Sequence, residues 1–159
     1  MVQENLILKN ENDIYIFFET IKQLEAQSIL DIGMFLKRIG SVSRKAMDCE
    51  IPETVRLNGV DLFPEKEFPV WKHVYDTIEN GEHFLEKRVK DRYDLTVMLG
   101  VDALLPMPVF ANIIEKISFY TRFLLVNRIL DIWKKEWVNA KIIDLRVEAD
   151  SYCLVDFGV

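Results

Sequence analysis

Short apolar runs, each closed by a turn-forming residue, recur along the chain with amphipathic segments between them. They are SILDIG (28–33), VRLNGVDLFP (55–64), YDLTVMLGV (93–101) and TRFLLVN (121–127). Each is too short for a typical helix, and too continuously apolar for a strand with one face in water. Strands of this kind fit a parallel sheet covered on both faces. VYDTIENG (74–81), closed by Asn80-Gly81, reads as a further short strand. KIIDLRV (141–147) and YCLVDFG (152–158), separated by EADS (148–151), read as an antiparallel hairpin. The expected fold is a three-layer, Rossmann-like α/β sheet, mostly parallel, ending in a C-terminal antiparallel hairpin.

The segments between the strands supply the helices. Ile14, Phe17, Ile21 and Leu24 recur at helical spacing, so residues 13–26 are expected to form an N-terminal amphipathic helix capped by Asn12 or Asp13. A second helix is expected from the end of the first strand to about Cys49, with Gly40 and Ser41 as an alternative start. EHFLEKRVKDR (82–92) reads as a short helix with a solvated, mixed-charge face. MPVFANIIEKISFY (107–120) carries Pro108 in its first turn, where proline is tolerated. ILDIWKKEWVN (129–139) completes the set.

The chain of 159 residues fits a single domain, residues 1–159. Its net charge of −6 argues against nucleic acid or an anionic membrane as the main partner, since both call for clustered Lys and Arg. Two cysteines, Cys49 and Cys153, and the lack of a secretory signal or long apolar span point to a cytoplasmic protein with reduced thiols. Two histidines, His73 and His83, stand in no metal-ligand spacing, so no metal is expected.

In a doubly wound sheet, ligands bind in the crevice outside the carboxyl ends of the strands. Gly33, Asp61, Gly81 and Gly100 all fall at such ends. The motifs there resemble those of the class I S-adenosylmethionine-dependent methyltransferases. LDIG (30–33) resembles the first motif of that family, and LNGVDLFPE (57–65) the second. YDLTVMLGVDALLP (93–106) resembles its fourth strand and following loop, and the terminal hairpin its sixth and seventh strands. The resemblance implies S-adenosylmethionine as cofactor, with Asp31, Gly33, Asp61, Leu62, Glu82 and Gly100 as the positions that would bind it.

Each of these positions has two readings. By the resemblance, Asp61 at the end of the second strand would hold the ribose; otherwise it is a loop aspartate before a proline turn. Asp31 would order the loop or meet the cofactor's amino group; otherwise it caps the following turn, as aspartate often does. Gly33 would allow close approach, or simply serve a turn. Glu82 would lie near the adenine, or be solvated. His73 and His83 are expected at the surface rather than as bases in the crevice. Trp133 and Trp137, four apart, share a face. That face is expected to be core in preference to a partner interface.

The chain departs from the family where its loop should continue with glycine. It has Phe35 and Lys37 there, and Gly100, Ala103 and Leu104 where relatives often carry an acid after the fourth strand. A phenylalanine at positive φ is strained and brings a large ring. Either the loop is re-routed, with Gly40 in the tight position or with Phe35 in the core, or the cofactor's methionine end is displaced. These departures lead to the expectation of a methyltransferase-like protein with a remodelled loop, weak or absent cofactor binding and a role in binding or interaction. The alternative is an active methyltransferase, which needs no general base because methyl transfer is chiefly a positioning problem. The expected partner is a small molecule or a protein, with a homo-oligomer left open.

Overall fold

A computed structural model describes residues 11–39, 51–62, 74–87, 91–103, 105–129, 133, 137 and 139–158. Helix α1 (Glu11–Leu24) leads into β1 (Ser28–Ile32), the short α2 (Phe35–Arg38) and β2 (Arg56–Asp61). Then come β3 (Thr77–Asn80), α3 (Gly81–Glu86), β4 (Tyr93–Met98), α4 (Met107–Ile117) and β5 (Thr121–Val126). The hairpin of β6 (Lys141–Val147) and β7 (Asp150–Asp156) closes the order.

The strands form one sheet in the order β3-β2-β1-β4-β5-β7-β6. Strands β1 to β5 pair in parallel, while β7 runs antiparallel to both β5 and β6. Successive residues of a strand feed opposite faces. Ile29, Leu125 and Leu154 join one core cluster, while their neighbours Leu30, Leu124 and Val155 join another. The first cluster packs under α1 and α2 through Phe17 and Phe35; the second packs under α3 and α4 through Phe84 and Phe110. This is the three-layer, mostly parallel sheet with a C-terminal antiparallel hairpin that the apolar runs imply. Chain order reverses between β1 and β4, which places the crevice at the carboxyl ends of those two strands.

The bounds of several elements differ from the sequence expectation, for local reasons. The described part of helix α1 already includes Asn12 and Asp13, whose side chains meet the hairpin. The Asn12 amide donates to Asp150 Oδ2 at 2.8 Å, and the Tyr152 hydroxyl donates to Asp13. The helix ends at Leu24, where Glu25 turns the chain at φ +50 and the Ala26 N–H bonds back to Ile21 O. Helix α4 stops at Ile117, because the Tyr120 N–H bonds to Ile117 O and the Tyr120 carbonyl accepts from Tyr93 N at the start of β4. The hairpin turn is two residues long, with Val147 paired to Asp150. Gly40, Cys49 and most of the helix expected before Cys49 lie outside the described residues, as do His73 and most of the helix expected at 129–139.

Among the described residues no helix is long and apolar enough to cross a membrane, and no group of His, Cys, Asp and Glu could hold a metal ion.

Candidate functional site

The crevice is built by the turns that follow β1, β2 and β4. After β1 the chain takes two successive left-handed residues, Gly33 at φ +87 and Met34 at φ +49, before entering α2. The Gly33 N–H still pairs with Val60 O of β2, so the strand ends in the turn without fraying. Gly33 must be glycine for a second reason. A Cβ there would sit 2.8 Å from Val101 Cγ2, closer than real contacts allow.

Asp31 holds this turn together. It is fully buried, and its carboxylate accepts from Phe35 N at 2.9 Å and Leu36 N at 3.4 Å. The Tyr75 hydroxyl donates to Oδ2, the oxygen that also accepts from Leu36 N, at 2.6 Å. Two of the helix-start donors of α2 are thereby satisfied from within. Asp31 thus has the turn-capping contacts of its second reading. Burial raises its pKa above the ordinary value, opposed by the hydrogen bonds from Tyr75 and Phe35 and by the nearby positive charge of Arg38. Burial and the Asp31 charge raise the Tyr75 phenol well above its usual range.

The raised Asp31 pKa has a defined sign. An acid whose folded pKa exceeds its unfolded one stabilises the fold fully only below the unfolded value. That contribution is lost as pH rises from about 3.8 through the raised value. Asp31→Asn keeps an acceptor for Phe35 N but cannot ionise. The parent's stability, measured by urea denaturation against this variant, should fall as pH rises through that window. A constant difference across the window would count against it.

Phe35 does not stand at positive φ. It opens α2, and its ring is buried and stacked on Phe17 with centroids 5.0 Å apart. The strain expected at Phe35 falls on Met34, whose side chain is also fully buried. Of the readings of this segment, the structure shows Phe35 in the core.

At the end of β2, Asp61 is 9% exposed and its Oδ2 lies 3.5 Å from Lys37 Nζ, both side chains being mostly buried. Leu62 follows and spreads between the turn at Gly33 and the start of α3. Its two methyl groups lie 3.7 Å and 3.0 Å from the positions where a Cβ on Gly33 and on Gly81 would be. Gly100, after β4, has φ +74, and its N–H donates to Asn127 Oδ1 at 2.6 Å. The structure therefore brings Asp31, Gly33, Asp61, Leu62 and Gly100 to one end of the sheet. Glu82 is apart from them in character: it is exposed in the first turn of α3, where its N–H is capped by Asn80 Oδ1 at 2.8 Å. His83 is also exposed and faces Glu79 at 3.2 Å.

Sequence reasoning passed over Arg38. Its Nε donates to Gly33 O at 3.0 Å and an Nη donates to Leu99 O, so the guanidinium bridges the ends of β1 and β4 at the switch point. A Cβ on Gly100 would lie 2.8 Å from one of its nitrogens. Burial of the guanidinium lowers its pKa from the ordinary value, opposed by Asp31, Tyr75 and Asp13, although the residue as a whole remains exposed. The available signal was the run LKR (36–38), beginning three residues after Gly33, two cations where the resemblance leads one to expect small residues. Tyr75 carried no such signal, since its partner Asp31 is 44 residues away.

A separate cavity of about 840 Å³ opens beside α3, lined by Leu30, Asn58, Thr77, Glu79, Phe84 and Tyr93 among others. None of Asp31, Gly33, Asp61 or Gly100 lines it.

No family model and no curated protein sequence matches the chain. Solved structures do match. The methyltransferase domain of the bacterial protein CtHen1 aligns over 94% of this chain and 99% of its own, with a TM-score of 0.60 and 12% identity. The chain has the class I methyltransferase fold. Magnesium protoporphyrin IX methyltransferase from Synechocystis, solved with bound S-adenosylmethionine, aligns over 94% of this chain and 78% of its own, with a TM-score of 0.55 and 10% identity. Identities this low establish the methyltransferase fold and leave the chemistry of its crevice to the residues in it.

Among the described residues, two contacts bear on whether an adenosyl cofactor fits this crevice. The carboxylate at the end of β2 already faces Lys37. The space above Gly100, where a glycine lets a ligand approach the main chain, is taken by the Arg38 guanidinium.

Proposed function

We propose that this protein is a methyltransferase-fold binding module that has given up methyl transfer. The observation that carries the reading is Arg38, anchored on Gly33 O and Leu99 O across the crevice, with Lys37 turned onto Asp61 beside it. Two cations from one short helix thus occupy the ground that a cofactor's backbone contacts and ribose would need. The alternative, an active S-adenosylmethionine-dependent methyltransferase, draws its support from the position of Asp61 at the end of β2 and of Gly33 at the end of β1. A fold neighbour solved with bound S-adenosylmethionine supports it only as a property of the shared fold.

Melting curves decide between the two. A ligand at a hundred times its dissociation constant stabilises the native state by about 2.7 kcal/mol. For a chain of this size that is a rise in Tm of roughly 5 to 11 °C. Neither S-adenosylmethionine nor its demethylated product at millimolar concentration should shift the Tm. A rise of that size would establish a competent cofactor site and overturn the binding-module reading.

A further inference from the structure

The cavity beside α3 lies away from the crevice. Its wall includes Asn58 of β2 and Tyr93, the first residue of β4. Tyr93 stands about 16 Å along that strand from Met98, where the crevice end begins. Leu30 and Phe84, 3% and 2% exposed, give the cavity apolar surface. Its volume of about 840 Å³ lies within the range of roughly 300 to 1,000 Å³ usual for small-molecule sites.

Two buried polar side chains in that wall have hydrogen-bonding capacity to spare. Asn58 and Tyr93 are each 8% exposed. Asn58 Nδ2 donates to the Tyr93 hydroxyl at 2.8 Å, and that hydroxyl donates to no acceptor among the described residues. Asn58 Oδ1 is buried and has no hydrogen-bond partner. Thr96 and Tyr120 also carry an unpaired buried oxygen, but of the three only Asn58 lines the cavity. A buried acceptor left without a donor is costly, so a molecule that supplies one is favoured there. The χ2 torsion of asparagine is broad, so the amide can turn its oxygen towards a donor in the cavity. Tyr93 is held from outside: Arg56 Cζ lies 4.8 Å from its ring centre, and its N–H bonds to Tyr120 O at 3.0 Å.

The charged groups around the cavity already face one another. Glu79 lies 3.2 Å from His83 and 2.7 Å from Lys87, and Asp91 lies 3.6 Å from Arg56. An ion entering would exchange its hydration for neutral partners, which is unfavourable. What the wall offers is a neutral acceptor, a neutral donor beside it and apolar surface. We propose that this cavity is a ligand site separate from the crevice, taking an uncharged molecule with a carboxamide-like donor and acceptor on an aromatic or apolar frame. The ligand N–H meets Asn58 Oδ1, and its carbonyl accepts from the Tyr93 hydroxyl. The site goes beyond the reading of the crevice and does not depend on it, since none of Asp31, Gly33, Asp61 or Gly100 lines the cavity.

Benzamide, benzoate and toluene are the probes: one ring carrying the neutral pair, a charge, or neither. Proton–nitrogen NMR of the full chain reads the contact through the Asn58 side-chain amide and the Phe84 main-chain N–H. Benzamide should move both signals saturably, with benzoate and toluene binding about tenfold more weakly or worse. Asn58→Leu removes the amide at similar size, and Tyr93→Phe removes only the hydroxyl. Each should weaken benzamide by about tenfold, read at Phe84, with melting curves confirming the fold; either variant that folds decides. No saturable response to benzamide would mean that water alone meets these groups, and would overturn the proposal. So would equal affinity for benzoate or toluene, or unchanged benzamide affinity in a folded variant. Any of these failures leaves the S-adenosylmethionine melting test, and the reading of the crevice, where they stand.

Discussion

Replacing Phe35 by glycine is expected to lower the stability of the fold by about 3 to 5 kcal/mol, and to gain no affinity for an adenosyl ligand. The ring is 1% exposed and stacks on Phe17 at 29° between planes, with Phe17 itself fully buried. That contact joins α2 to α1 over the sheet, so the substitution leaves a cavity between three elements rather than a gap at the surface. Glycine in the helix adds up to about 1 kcal/mol of backbone cost. Phe35→Leu, which keeps most of the volume, should lose much less. Had the ring stood in the crevice, its removal would have opened space for a ligand at little cost to stability. Urea denaturation and a calorimetric titration with S-adenosylmethionine on the same variant separate the two. Gained affinity with unchanged stability would refute the core placement.

The fold was legible because burial on both faces forces strands to be apolar throughout. Runs such as TRFLLVN and YDLTVMLGV carry that requirement openly, and the hairpin follows from two short strands around one turn. The site was less legible because its positions follow from topology while its contacts do not. Gly33, Asp61 and Gly100 could be placed at strand ends by counting along the chain. That Lys37 meets Asp61, or that Arg38 crosses to Leu99, depends on how a four-residue helix is aimed. The aim is set by Asp31 accepting from Phe35 and Leu36, and by Met34 taking the left-handed conformation. Neither can be read from hydrophobic period. Phe35 shows the same limit. Sequence placed strain on it because it stands where a glycine is usual, whereas the chain moves the strain one residue back and keeps the ring for the core.

Trp133→Ala is the second change expected to have a large effect, about 3 to 5 kcal/mol of stability. At roughly 2 to 4 °C per kcal/mol for a chain of this length, the Tm should fall by about 6 to 20 °C. Trp133 is 6% exposed and belongs to the cluster under α4. Its ring lies 5.7 Å from Phe110 of α4 on one side and stacks on Trp137 at 5.7 Å on the other. Trp137 in turn meets Phe157 edge-on at 5.0 Å, just past the end of β7. The ring series therefore links α4, the segment after β5 and the residues just past the C-terminal strand, and removing Trp133, an inner member, breaks that link. Trp137, partly exposed, should cost less when truncated, because part of its ring already faces water. The four-residue spacing equally allowed a partner-binding face, where tryptophan is enriched. The two roles diverge in what the mutant loses. A core residue takes stability with it at any protein concentration. An interface residue would leave a stable chain with an altered association state, and finding that outcome by sedimentation alongside an unchanged Tm would remove Trp133 from the core.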